Sequence, residues 1–207
     1  MSSLCKKMSK REFFDRHAVS WDRQCDQDVA SQIEELVQRF DLKEGKTVLD
    51  VGCGTGVLLP HLLKKVKEKG LVFALDFSWN MILKAKKDKA KTNIHFINGS
   101  VEALPLKDQT IDYLTCLDTF AHVTDQKKAL YEMGRALKKG GKLFIAHTLG
   151  KRELAEYHRM AGVEVEHDTL PEDEKIREMM GKAGFKDIEI IDQPNLYLAR
   201  GIKFPSM

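Results

Sequence analysis

The sequence predicts an α/β fold in which strands and helices alternate, giving a largely parallel sheet covered on both faces. Three observations predict it. An apolar run enters a glycine-rich turn at Val48-Leu49-Asp50-Val51-Gly52-Cys53-Gly54-Thr55-Gly56. Four further apolar runs follow at intervals that leave room for crossover helices. The 207 residues are also enough to bury a core without disulfides or metal.

In chain order, residues up to about 44 precede the sheet. The stretch Glu12-Phe13-Phe14-Asp15-Arg16-His17-Ala18-Val19-Ser20-Trp21-Asp22 is rich in aromatics, and a helix with Val29, Ile33, Val37 and Phe40 on one face follows. The first strand then runs into the glycine turn and the helix Val57 to Leu63, with Pro60 expected about one turn into it. The second strand, Leu71 to Leu75, ends in Asp76. Ser78 is the expected cap of the helix starting at Trp79. The third strand is Ile94 to Ile97 and the fourth Ile111 to Leu117. Thr124 is expected to cap the helix carrying Ala129, Leu130, Met133 and Leu137. The fifth strand is Lys142 to Ala146, ending at His147. A helix over roughly 152–160 comes next, and Pro171 is expected to open another that Gly184 ends. The runs Phe185 to Ile191 and Leu196 to Arg200 flank the turn Gln193-Pro194-Asn195.

The spacing D-x-G-x-G-x-G marks a binding loop. Glycines keep side chains out of a turn that a ligand approaches closely, and the following helix points unpaired N–H groups at the same place. The dinucleotide pattern fails because no glycine stands three residues after Gly56. The phosphate-loop pattern fails because no Gly-Lys-Ser/Thr follows. Asp76 stands about 20 residues past the loop, where an acid accepts both hydroxyls of a ribose.

With these pieces in place, the chain resembles the class I S-adenosylmethionine-dependent methyltransferases, of the small type that includes menaquinone-pathway and arsenite enzymes. Besides the glycine loop, the resemblance rests on Asp76-Phe77-Ser78-x-x-Met81, Glu102-Ala103-Leu104-Pro105-Leu106, Leu137-Lys138-Lys139-Gly140-Gly141 and Ala183-Gly184-Phe185. It covers residues from about 12 to 200. It implies a Rossmann-like, doubly wound sheet of seven strands, with an antiparallel last strand inserted between its neighbours. It also implies one methyltransferase domain over 1–207: a helical lid or lead-in over 1–44, a cofactor half over 45–148 and acceptor-side elements over 149–207. The implied cofactor is S-adenosyl-L-methionine, held by Asp50, Gly52, Cys53, Gly54, Gly56, Asp76, Phe77, Met81, Ser100, Val101 and Leu117. Many relatives carry Asp where this chain has Ser100, so the adenine contact expected there is weaker or made by backbone.

The acceptor side is expected beyond the carboxyl ends of the fourth and fifth strands. Candidates are Asp118, Phe120 and His122, then His147, His158 with Glu156 and Tyr157, and His167, with Asp168 as either its orienting partner or an N-terminal cap. Histidine is the natural base near neutral pH. His147 and His158 are the expected catalytic pair, because the chain between them is short enough to bring both to one rim. His17, His61 and His95 are read as structural or exposed. A base is needed for a phenol, enol or carbon acid and not for a thiolate or arsenite. The acceptor is a small molecule: a quinone-like carbon acid, a hydroxyl or amine metabolite, or a thiol or metalloid.

Other classes fare worse. The 34 basic and 31 acidic residues nearly cancel to +3, and the lysine-rich stretches 64–69 and 84–89 lie on polar helix faces without interleaved aromatics. No nucleic-acid partner is expected. Cys5, Cys25, Cys53 and Cys116 form no C-x-x-C pair, so no metal site or disulfide framework is expected. No window of 18 apolar residues exists, which argues against membrane insertion and for the cytoplasm, as a monomer or homodimer. A nicotinamide oxidoreductase lacks its third glycine. A regulator that binds S-adenosylmethionine without turnover remains the alternative.

Overall fold

The computed structural model describes residues 8–21 and 27–204. Cys5, Cys25 and the end of the aromatic stretch at Asp22 lie outside them. Helix α1 (Lys10–His17) opens with a reciprocal cap: Ser9 Oγ accepts from Glu12 N, and Glu12 Oε2 accepts from Ser9 N. Helix α2 (Gln27–Gln38) follows. Then come β1 (Thr47–Val51), α3 (Leu59–Val66), β2 (Leu71–Asp76), α4 (Trp79–Lys89), β3 (Ile94–Asn98) and β4 (Ile111–Leu117). The chain continues through α5 (Gln126–Ala136), β5 (Leu137–His147), α6 (Lys151–Ala161), α7 (Asp173–Lys182), β6 (Phe185–Gln193) and β7 (Leu196–Lys203).

The strand order is β3-β2-β1-β4-β5-β7-β6, with β7 antiparallel between β5 and β6. This is the expected seven-stranded, doubly wound sheet. After β1 the chain works outward to β3 and then returns to place β4 on the other side of β1. The order therefore reverses between β1 and β4, and a crevice opens beyond their carboxyl ends.

Alternation along the strands divides the core. Leu143 and Ile145 of β5 face α5 and α7, with Leu130, Met133, Ile176 and Met180. Phe144 and Ala146 face α2 and α3, with Val37, Phe40, Leu59 and Leu62. A third cluster stands apart: Phe13 and Phe14 of α1, with Ala18 just past its end, pack on Met81 of α4 and on Val165. Each buried phenylalanine is worth about 1.5–3 kcal/mol, so α1 is a docked element.

Several boundaries differ from expectation for local reasons. Pro60 sits in the first turn of α3, where its missing N–H is harmless. The cap of α5 is Asp125, whose side chain accepts from Lys128 N; Thr124 falls one residue short. Pro171 stands before the cap residue Glu172 and so outside α7. Strand β5 begins at Leu137, earlier than expected, because Leu137 already pairs with Ile111. Ser78 caps α4 as expected, accepting from Met81 N at 3.2 Å.

Candidate active site

The glycine turn follows β1 at the crevice. Gly52 has φ +69°, and a Cβ there would lie 2.2 Å from Thr119 Oγ1. Thr119 follows β4 and donates to Gly52 O at 3.2 Å, so glycine is what allows the two strand ends to close on each other. The amides of Gly52 and Cys53 both donate to Leu75 O at the end of β2. Gly54 has open space above it. Its amide donates to Asp76 Oδ2 at 2.9 Å, and Ser78 N donates to Asp76 Oδ1 at 2.8 Å.

Two buried carboxyls define the polarity here. Asp50 accepts from Thr115 Oγ1 at 2.9 Å, but its Oδ2 is buried without a partner. Burial raises its pKa to about 7, with the charge of Asp76 adding to the effect. Burial also raises Asp76 to about 6, against the hydrogen bonds from Ser78 and Gly54. Each Asp76 oxygen uses one acceptor position and keeps another. An orphaned carboxylate oxygen beside a glycine turn that is open above Gly54, next to a second acid with spare acceptor positions, fits a ligand with a cationic amino acid end and a ribose.

Around that pair, Cys53, Met81, Val101 and Leu117 are buried and Phe77 is half-buried. Burial pushes the Cys53 and Cys116 thiols well above their ordinary value, so neither is a thiolate at neutral pH. Ser100 caps the short turn Val101–Ala103, and its hydroxyl is held by Glu102. Its side chain is thus committed locally.

Helix α1 closes over this end. Asp15 Oδ1 accepts from Ser78 Oγ at 2.6 Å and from Asn80 N at 3.0 Å, and Asn80 Nδ2 donates to Asp15 O at 3.0 Å. Phe14 meets Phe77, Trp21 and His122 at ring separations of 5.6, 5.5 and 5.1 Å.

The histidines expected on the acceptor side do not share one role. His147 ends β5 as expected, but it is fully buried and neither ring nitrogen has a hydrogen-bond partner. Its nearest carboxylate oxygen, Asp118 Oδ1, is 3.6 Å away. Burial lowers its pKa to about 3, which leaves the ring neutral. The cause is β7, which places Tyr197 in register beside His147. His158 is also buried, its Nδ1 2.6 Å from Asp168 O and its pKa lowered chiefly by burial. Its ring lies 4.7 Å from that of His122.

His122 lies in the short turn Phe120–His122 after β4, half-buried, with Nδ1 2.7 Å from Asp168 Oδ2. Asp168 therefore orients His122 and not His167, which is exposed and lies 3.4 Å from Glu166. Burial acts to raise the Asp168 carboxyl, but hydrogen bonds from His122 and Lys10 outweigh it and hold the group below the usual range. Lys10 Nζ donates to Asp168 Oδ1 at 2.5 Å and to His122 O at 3.1 Å. No signal in the sequence singled out Lys10. Asp118, just past β4 with φ +47°, reaches across to the end of β5 and accepts from Thr148 N and Oγ1.

Comparison with known proteins places this geometry. A methyltransferase-domain family matches residues 42–187. The chain belongs to that family. A demethylmenaquinone methyltransferase of Shouchella clausii (strain KSM-K16) is 30% identical over 182 residues, covering 76% of this chain and 77% of that one. A ubiquinone/menaquinone biosynthesis C-methyltransferase of Klebsiella pneumoniae is 30% identical over 215 residues, covering 83% and 82%. Among solved structures, an S-adenosylmethionine-dependent methyltransferase of Aquifex aeolicus superposes with a TM-score of 0.73 at 26% identity, covering 91% of this chain and 97% of that one. The protein is an S-adenosylmethionine-dependent methyltransferase.

Among the described residues, no helix of this methyltransferase is long and apolar enough to cross a membrane. An open groove of about 340 Å³, lined by residues such as Arg135, Lys182 and Lys203, lies at the other end of the sheet, beside the start of β5.

Proposed function

We propose that this methyltransferase moves a methyl group to a ring carbon of a hydroxylated aromatic acceptor, the reduced form of a naphthoquinone-type compound, with His122 as the base. The observation that carries the reading is the His122 Nδ1 to Asp168 Oδ2 hydrogen bond at 2.7 Å, set between the lid helix α1 and His158. The two relatives named for quinone-pathway methylation, each covering about three quarters or more of both chains, support the acceptor class.

S-adenosylmethionine supplies the methyl group, already electrophilic on a sulfonium that leaves as a thioether. The residues to hold it are those around the glycine turn: Asp76 for the ribose hydroxyls, Asp50 for the cationic end, and Phe77, Met81, Val101 and Leu117 as the apolar wall. The remaining work is deprotonation, alignment and exclusion of water.

With Asp168 ionised, Nδ1 of His122 carries the hydrogen and Nε2 presents a lone pair. Nε2 takes the acceptor's hydroxyl proton, which makes the neighbouring ring carbon nucleophilic. That carbon gains the methyl and then loses its own hydrogen as a proton as the aromatic ring is restored, while the acceptor's oxygen takes back the proton held on His122 Nε2, which frees the base. One proton is released per methyl transferred. His158, with Nδ1 held by Asp168 O, stays neutral and offers Nε2 as a second acceptor for the acceptor's hydroxyl groups. His147, sealed and neutral, supports the wall behind them. Phe13, Phe14 and Trp21 exclude water as α1 docks.

The test uses labelled S-adenosylmethionine with 1,4-naphthoquinol. His122→Ala is expected to lower turnover by about 10²–10⁴-fold with calorimetric cofactor affinity unchanged. A variant as active as the parent would end the assignment of His122 as base.

A further inference from the structure

Lys10 stands out because it reaches the dyad from a separate element. We propose that Lys10 is a positioning residue for the His122–Asp168 dyad, so that docking of α1 assembles the base. This rests on the reading of His122 as base.

The geometry is two-pronged. One hydrogen bond from Nζ goes to Asp168 Oδ1, the oxygen that His122 does not use, and another goes to the main-chain carbonyl of His122 itself. Lys10 thus fixes both the acid that orients the imidazole and the turn from which the imidazole projects. Its side chain is 29% exposed and that of Asp168 9%, so the ion pair is sheltered. The partners lie 112 and 158 residues from Lys10 in the chain. Nothing but the docking of α1 brings them together.

The helix does not depend on Lys10 for its place. Asp15 holds the start of α4, and Phe13, Phe14 and Ala18 pack against Met81 and Val165. Removing the ammonium should leave α1 docked and change only what it does to the dyad. The same helix touches both halves of the site, since Ser78, which Asp15 holds, donates to Asp76.

The charge balance gives the direction. With Lys10 in place, proton uptake by His122 takes the trio from neutral to +1. Without it, the same uptake takes a net −1 pair to neutral, which is easier. The other groups facing His122 are His158 on α6, Phe14 on α1, and Asp118 and His147 at the ends of β4 and β5. None of them is a cation at neutral pH that replaces Lys10.

The experiment compares Lys10→Met, Lys10→Arg and His122→Ala in the full chain. The probes are turnover of 1,4-naphthoquinol across pH and ¹³C-histidine NMR titration without cofactor. The proposal expects Lys10→Met to lower kcat by up to about tenfold on the acid limb of the profile, with cofactor KM within about twofold. It expects the acid limb and the His122 resonance to move to higher pH by about one unit, and Lys10→Arg to restore both. A Lys10→Met protein with parental profile and resonance, beside an inactive His122→Ala, overturns the role of Lys10 and leaves the base standing. A fall in kcat that tracks melting temperature, with neither pH feature moved, also overturns it. An active His122→Ala variant removes the base reading itself.

Discussion

Asp76→Asn separates stability from binding in a way that tests the cofactor half. The carboxyl is 6% exposed, and burial raises it from 3.8 to about 6. A folded-state value above the unfolded one means that the native state binds the proton more tightly. The apo protein therefore loses stability as pH rises from about 4 to about 6, and above that the cost is constant. A rise of that size corresponds to about 3 kcal/mol. Asparagine stands in for the protonated carboxyl and removes this cost, the weaker bonding to Gly54 N and Ser78 N being already contained in the raised value. At pH 8 chemical denaturation should therefore find the apo variant at least as stable as the parent, by up to about 3 kcal/mol. Its stability should also vary less between pH 4 and 6. Cofactor affinity should fall by about 10–100-fold, since one acceptor for the ribose is gone. Unchanged affinity by calorimetry, or an apo protein destabilised by several kcal/mol, would refute the reasoning.

Cofactor affinity of the parent should weaken as pH falls below about 6, as the raised Asp76 carboxyl takes up a proton and stops accepting; a pH-independent dissociation constant from 5 to 8 contradicts this. Gly52→Ala meets Thr119 Oγ1 at 2.2 Å and holds a positive φ, and should cost about 2–4 kcal/mol in denaturation. Thr119→Gly in the same chain should recover part of that, and no recovery would show that Thr119 is not the obstacle. Phe14→Ala opens the contact among Phe77, Trp21 and His122 and should raise uncoupled solvent access, seen as faster hydrogen exchange at Ser78 and Met81. Unaltered exchange there argues that α1 is no lid.

Local chemistry was legible and convergence was not. The turn from Asp50 to Gly56 announces itself because three glycines and an acid must stand at fixed spacing in one short segment. Asp76 follows because a crossover helix has a narrow range of lengths. The start of α1, where Ser9 and Glu12 cap each other reciprocally, was not singled out. His147 was placed at the ligand end of its strand, but alternation gives the face of a sheet and not the depth. Its burial depends on Tyr197 of the inserted strand β7, 50 residues on in the chain. Lys10, His122, His158 and Asp168 come from four segments with no shared period, so their meeting is a property of the fold. Adjacency misled at His167, whose neighbour Asp168 turns inward while His167 points out.

The most direct measurement is the site of methylation after turnover of 1,4-naphthoquinol with ¹³C-methyl-labelled S-adenosylmethionine, read by NMR after air oxidation. The account predicts label on a ring carbon, as 2-methyl-1,4-naphthoquinone, formed by the parent and nearly absent with His122→Ala. Label on oxygen, or no labelled product from the parent while cofactor binds normally, would contradict it.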